Sequence, residues 1–427
     1  MYDFTAFLRT LVRYTLLGGA VGILAGTASA IFLVSLDWAT SVRLSLPLLV
    51  LGLPLGGFAV GWIYHRFAGA AAGGNTLVIE TLHTDDDAVR IPLRMAPLIL
   101  LGTVITHFFG GSAGREGTAV QMGASLAEGL RRLLRLGPID RRLLIMAGIS
   151  GGFGSVFGTP VAGLIFGMEV QHVGRIRYEG LIPCLAASFV GDLVTRAWGV
   201  AHSHYPEFAP VAIDPGLLIK VVIAGCLFGL TSLAFIELIH GIKHLLAKYI
   251  AYPPLKPVVG GLVIILLVIV FNTEDYLGLS LPLLSHSLDG TGVPASAFAL
   301  KLLFTAVTLG SGFLGGEVTP LFAIGASLGY TLGSPLGVDP SFMASLGFVA
   351  VFAGASNTPL ACALMGIELF GGGAPVYLVL ACVMAYLSSG HRSIYGSQRV
   401  DTPKNNRDLP NDRAISTLNG LSRREHP

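Results

Sequence analysis

Thr159-Pro160-Val161-Ala162-Gly163-Leu164-Ile165-Phe166-Gly167-Met168-Glu169 returns later in the chain as Thr358-Pro359-Leu360-Ala361-Cys362-Ala363-Leu364-Met365-Gly366-Ile367-Glu368. The shared Thr, Pro, Ala, Gly and Glu keep a single offset of 199 residues. A second matched pair lies upstream of each copy. Glu116-Gly117-Thr118 with Gly123-Ala124-Ser125-Leu126 answers to Glu317-Val318-Thr319 with Gly325-Ala326-Ser327-Leu328. Here the offset drifts from 201 to 202, as one inserted residue would cause. Two motif pairs in the same order mark an internal repeat, spanning about 92–199 and 297–390.

The surrounding composition is that of an all-α polytopic membrane protein. Of 427 residues, 53% are hydrophobic and 12% charged, with mean hydropathy +0.72; soluble domains carry about 25% charged residues. The 56 glycines suit close helix approach and helix breaks at membrane depth. Apolar stretches run at about 45–64, 92–109, 116–131, 143–157, 159–171, 180–199, 216–245, 255–272, 297–311, 318–334, 341–353, 358–371 and 374–389. Several are short and broken, as in transporters near the midplane. Arg9 and Arg13 ahead of an apolar run, with Ala28-Ser29-Ala30, imitate a signal peptide. The run continues through Leu36, so Tyr14–Leu36 is expected to be a retained first helix. Residues 1–391 are expected to form one transmembrane transport domain and 392–427 a polar cytoplasmic tail without a regulatory domain.

Charge suggests how the two halves are oriented. Arg131, Arg132, Arg135, Arg141 and Arg142 follow the Glu116 segment, and Arg175 and Arg177 follow Glu169. Both loops are expected to face the cytoplasm. Only about 28 residues separate the two loops, so the chain must enter and return as two half-helices, broken near Gly151–Thr159. Between Lys301 and Arg392 there is no Lys or Arg, so the matching loops of the second half read as external. Equivalent elements on opposite faces make an inverted-topology repeat, with the substrate at mid-membrane between the halves.

Gly110-Gly111-Ser112-Ala113-Gly114-Arg115-Glu116-Gly117-Thr118 sets a glycine-rich loop just before a helix, and Gly310–Thr319 repeats it. Unpaired N–H groups at such a helix start form an anion seat. Two converging from opposite halves would hold one small anion. Glu116 stands at the mouth of the first seat, where an intramembrane carboxylate is a functional candidate. Resting in the seat, it would compete with the anion until protonated, and so act as both gate and proton carrier.

Gly114-Arg115-Glu116-Gly117-Thr118, Phe157-Gly158-Thr159-Pro160-Val161-Ala162-Gly163, Gly315-Gly316-Glu317-Val318-Thr319-Pro320 and Tyr395 resemble the CLC family of chloride channels and proton-coupled antiporters, over about 10–395. The resemblance implies a homodimer with one pore per subunit, Glu116 as gating glutamate and Tyr395 at the inner side of the anion. Four departures are similar to the fluoride-exporting branch. Gly73-Gly74-Asn75-Thr76-Leu77 stands where chloride members carry a serine, and Thr118 replaces a proline. Glu317-Val318-Thr319-Pro320 replaces an apolar loop, and Val170 stands at the antiporters' inner proton glutamate. The implied protein is a fluoride/proton antiporter exporting fluoride across a cell inner membrane, both termini cytoplasmic. A chloride/proton antiporter or passive anion channel of the same fold is the alternative. Gly114, Arg115, Gly117, Thr118, Gly316, Val318 and Thr319 join Asn75 and Tyr395 as anion-binding candidates. Glu317 is the candidate proton relay, since a buried carboxyl favours its neutral form.

Other polar residues carry blander readings. Glu169 and Glu368 are expected to be structural acids at helix C-termini, and His107 a satisfied interior histidine. Cys184, Cys226, Cys362 and Cys382 lie in apolar runs without metal-site spacing, so neither metal nor cofactor is implied. A net charge of +2 without a basic, aromatic-interleaved patch gives no sign of nucleic acid. Gly148-Ile149-Ser150-Gly151 matches an intramembrane serine protease pattern. Its nearest histidines, His240 and His244, sit near a segment end, and a protease leaves paired anion loops unexplained; the chain is not read as an enzyme.

Overall fold

The computed structural model describes residues 4–84, 89–404 and 413–415. The first half holds α1 (Phe4–Ser45), α2 (Leu53–Ile63), α3 (Gly74–Leu82), α4 (Met95–Phe108), α5 (Glu116–Leu133), α6 (Pro138–Phe157), α7 (Pro160–Glu169) and α8 (Leu181–Ala197). The second holds α9 (Pro215–Tyr249), α10 (Leu255–Phe271), α11 (Leu281–Leu288), α12 (Ala297–Gly310), α13 (Val318–Leu336), α14 (Pro340–Ser356), α15 (Pro359–Phe370) and α16 (Pro375–Ser388). Helices α4–α8 match α12–α16 one for one, which is the inverted repeat at the level of structure. Among the described residues, four helical segments are long and apolar enough to cross a membrane.

Proline and left-handed caps place the breaks. Pro160 and Pro359 open α7 and α15, and a residue before proline is driven out of the helical region. Thr159 and Thr358 accordingly take φ −121° and −124°. Gly158 and Asn357 just before them close α6 and α14 in the left-handed region, at φ +74° and +59°. The break expected near Gly151–Thr159 is therefore confined to Gly158-Thr159. Helix α6 runs straight through Gly151 and Gly152, because only the proline forbids continuation.

The same helix crossing occurs in both halves. Gly123 of α5 meets Gly148 of α6, and Gly325 of α13 meets Gly347 of α14, so a Cβ on any of the four would strike its partner's carbonyl. The small-residue contact brings each re-entrant pair close enough to point its loop inward. Between the halves lies an aromatic seam. Phe153 stacks on Phe166 at 4.2 Å and Phe322 on Phe348 at 4.2 Å, and Phe153 reaches across to Phe352 at 6.2 Å.

Three readings of the ends and connections change. The first helix extends well beyond Tyr14–Leu36 at both ends. Helices α3 and α11, of nine and eight residues, lie outside the apolar stretches read from the sequence. Residues 392–404 pack on the domain, so 391/392 is no packing boundary. Gln398 is fully buried and donates to Val170 O at 2.8 Å and Ser356 O at 2.7 Å, while Asn357 Nδ2 and Ser393 Oγ donate to its Oε1. Strand β1 (His172–Val173) runs parallel to β2 (Arg399–Val400), which pairs antiparallel with β3 (Arg413–Ala414). The Lys404 ammonium donates to Asn357 Oδ1, Tyr386 O and Ser389 Oγ. Burial pushes Lys404 down to about 7, while those acceptors and the Tyr386 ring 3.9 Å away hold it in place. Arg407, Arg423 and Arg424 of the basic tail lie outside the described residues.

Candidate functional site

Two loops from opposite halves meet head on. Gly114 N donates to Gly316 O at 2.6 Å, and Gly316 N donates to Gly114 O at 2.8 Å. Both glycines were expected to offer their amides to an anion. Each amide is instead committed to the other glycine, so the pair joins the helix starts rather than lining the seat.

Glu116 is the first residue of α5 and is fully buried. Its carboxylate does not cap its own helix. It crosses to the start of α13, where Thr319 donates from N to Oε2 at 3.0 Å and from Oγ1 to Oε1 at 2.6 Å. Arg115 adds its backbone N at 3.2 Å and its Nε at 3.3 Å. An amide at a helix N-terminus, a hydroxyl and a guanidinium are anion ligands. The carboxylate thus occupies a place built for a negative charge. Val318, buried, is the first residue of α13 and lends its position to that helix end. Thr118 behaves otherwise: its Oγ1 pairs with Thr103 Oγ1 at 2.8 Å. That hydroxyl ties α5 to α4.

A second cluster surrounds Gly117. A Cβ there would lie 3.1 Å from Asn75 Nδ2 and 3.3 Å from Glu317 Oε2, so glycine lets these two side chains close on the backbone. Among the described residues neither buried Asn75 Oδ1 nor buried Glu317 Oε2 has a hydrogen-bond partner. Glu317 is the N-cap residue of α13 yet makes no side-chain capping bond, so helix capping does not account for its carboxyl. Beside Asn75 is a void of about 10 Å³, lined also by Val120, Ile149, Phe166, Val170 and Tyr395. Such a volume admits one water-sized sphere. The Tyr395 ring stands edge-on to Phe166 at 6.4 Å. Its backbone is held by Ser393 Oγ, which accepts from Tyr395 N at 3.0 Å. Asn75, Val170 and Tyr395, far apart in the chain, therefore share one cavity.

Glu169 and Glu368 form a reciprocal clasp. Glu169, ending α7, accepts from Leu360 N at 3.1 Å and Ala361 N at 2.8 Å at the start of α15. Glu368 on α15 accepts from Val161 N at 2.9 Å and Ala162 N at 2.7 Å at the start of α7. Each half closes the other's helix end, a contact invisible in either copy of the motif alone. Hydrogen bonds to charged groups contribute about 1.5–3 kcal/mol. Glu169→Ala and Glu368→Ala are each expected to destabilise by roughly 2–3 kcal/mol, and the double variant by less than the sum because both loosen one helix pair. Denaturation in detergent measures this; unchanged midpoints would refute the clasp.

The remaining candidates settle simply. His107 places Nδ1 2.9 Å from Thr103 O and Nε2 3.0 Å from Ala113 O, an interior ring that lies between α4 and the Gly110–Arg115 loop. Ser150 is fully buried, while His240 and His244 lie exposed on α9. No Ser–His pair exists there.

A family model described as "Voltage gated chloride channel" matches residues 56–390. The chain is 46% identical over 414 residues to a "Chloride/fluoride channel protein" of Pseudomonas syringae pv. tomato, covering 96% of this chain and 91% of that one. It is 29% identical to an "H(+)/Cl(-) exchange transporter" of Vibrio cholerae, covering 91% and 90%. Among solved structures, a "CLC-type fluoride/proton antiporter" superimposes with TM-score 0.88 at 32% identity, over 94% of this chain and all of that one. A slow cyanobacterial Cl-/H+ antiporter shares the fold at TM-score 0.75 and 21% identity, over 89% and 94%.

Proposed function

We propose that this chain, which belongs to the voltage gated chloride channel family, exchanges fluoride for protons across a bilayer. The observation that carries the reading is the Glu116 carboxylate on the start of α13, accepting from Thr319 N and Oγ1. A carboxylate seated on anion ligands is a gate that a proton opens. Protonation removes its charge and leaves Thr319 and the helix end to the incoming anion. Loss of the proton returns the carboxylate and expels the anion. Anion and proton then move in alternation, which is antiport.

Fluoride is the anion this seat favours. It is about the size of a water molecule and strongly hydrated, so it needs strong donors in a small space. The Thr319 hydroxyl is a strong donor at the seat, and the Asn75 amide lines a void for one water-sized sphere. Glu317 is proposed as the second proton carrier. Asn75→Ser shortens the donor and enlarges the void, and is expected to lower the fluoride-to-chloride efflux ratio by about tenfold, the worth of one hydrogen bond to an ion. An unchanged ratio in folded protein would assign selectivity to Thr319 and the backbone.

The arginines around 131–142 and at 175 and 177 support cytoplasmic termini in a cell inner membrane and export from the cytoplasm. Arg132 and Arg141 both pair with buried Glu128 at 3.0 Å, and the remaining arginines keep the bias. A homodimer belongs to the same proposal. Leu181, Leu185 and Phe189 on α8, with Val376 and Val379 on α16, expose apolar surface suited to a second copy. Reconstitution into liposomes tests the reading. An outward fluoride gradient should drive protons inward against their gradient, and chloride should do so poorly. Equal coupling by chloride would assign a chloride/proton antiporter, and fluoride flux without proton movement a channel.

A further inference from the structure

We infer that Lys301 is a positioning residue for the anion seat, a buried cation that pins the gate loop from behind and adds positive potential to the seat. Lys301 on α12 is fully buried. Its Nζ donates to Ser112 Oγ at 2.9 Å, Tyr276 O at 3.2 Å and Gly278 O at 2.8 Å. Three acceptors match the three N–H bonds of an ammonium. Among the described residues no carboxylate pairs with it. The neighbouring cation behind the loop, Arg43, pairs with Glu274 at 3.3 Å, so that acid is already engaged.

Ser112 lies in the loop that ends at Glu116. It also shares a hydrogen bond with Thr305 Oγ1 at 2.8 Å, and its N donates to Thr308 Oγ1 at 3.2 Å. With Ala113 O on His107 and Gly114 on Gly316, every residue from 112 to 114 is tied down. The gate begins where the ties stop.

The repeat shows that this arrangement is not a requirement of the fold. Thr103 and Thr106 of α4 correspond to Thr305 and Thr308 of α12 at an offset of 202, which places Ile99 opposite Lys301. Ser112 falls opposite Phe313 or Leu314. The counterpart of the Lys301–Ser112 pair is therefore uncharged, Ile99 with Phe313 or Leu314. A buried charge is costly inside a membrane, and of these equivalent positions only Lys301 carries one. A charge on its Nζ is less screened there than it would be in water.

The inference rests on the seat proposed at the start of α13, and its test separates the two. Fluoride transport is measured against fluoride concentration in liposomes for Lys301→Met, Lys301→Gln and Lys301→Arg. Met and Gln are expected to raise the half-saturating fluoride concentration about tenfold, with proton coupling intact and the shift unchanged by added impermeant salt. Arg should stay within about twofold of the parent. Parent-like half-saturation in Gln would reduce Lys301 to a brace, and in Met would remove it from the mechanism. If Met fails to fold, the Gln and Arg pair still decides. Loss of coupling without a concentration shift would overturn the inference and point elsewhere for its cause.

Discussion

In liposomes holding Glu116→Ala or Glu116→Gln protein, fluoride is expected to run down its gradient while proton flux falls to the background leak. The geometry gives the reason. Among the described residues Glu116 alone places an ionisable oxygen on Thr319 N and Oγ1, so in the proposed exchange it is the group that alternates with the anion there. Alanine empties the position and leaves the Thr319 donors without an acceptor. An unpartnered buried donor costs about 1–3 kcal/mol, and an entering anion removes that cost, so the seat stays attractive. Glutamine keeps the shape of the protonated acid but never the charge, so the gate no longer closes electrostatically. Simultaneous fluoride-electrode and pH recordings make the measurement. Uphill proton transport persisting in the Gln variant would take Glu116 out of the proton path.

Much of this architecture was legible in the chain because it is written twice. The 199-residue offset between the Thr-Pro motifs located the paired half-helices, and proline with its preceding threonine marked where each begins. What one copy cannot show is how it touches the other. Gly114 and Gly316 each read as an anion-binding amide, and only their mutual bridge reveals that both amides are engaged. Glu169 and Glu368 read as acids at helix ends, whereas each in fact also closes the start of the helix that carries the other. Thr118 looked like a ligand because it follows Glu116, but one helical step turns its hydroxyl toward Thr103. Lys301 and Gln398 gave no local signal. One is a single cation in an apolar helix and the other a polar residue in a polar tail. Their partners lie 189 and 228 residues away for Ser112 and Val170, a separation over which no periodicity reports.

Glu317→Gln is expected to reduce coupled fluoride and proton turnover on the order of a hundredfold, as loss of a proton-transfer group does. Val170 lines the cavity where a carboxyl would have served the inner route, so a proton bound for Glu116 needs another carrier. Glu317 has the placement for that role. Among the described residues its Oε2 and Asn75 Oδ1 are both buried and unpartnered, and both side chains face Gly117, the residue after the gate. An ionised carboxylate is acceptor-only, so Glu317 Oε2 is left buried and unsatisfied in that form. A proton on Glu317 turns it into a donor. In that form the side chain also stops repelling the anion. Glutamine preserves this donor and removes the ability to release it, so folding and anion binding should survive while turnover does not. Glu169→Gln provides the contrast: its oxygens serve Leu360 N and Ala361 N, so the cost should fall on stability more than on coupling. Near-normal coupled fluxes in purified Glu317→Gln would make it a structural acid and move the inner route to Tyr395 or to water in the void beside it.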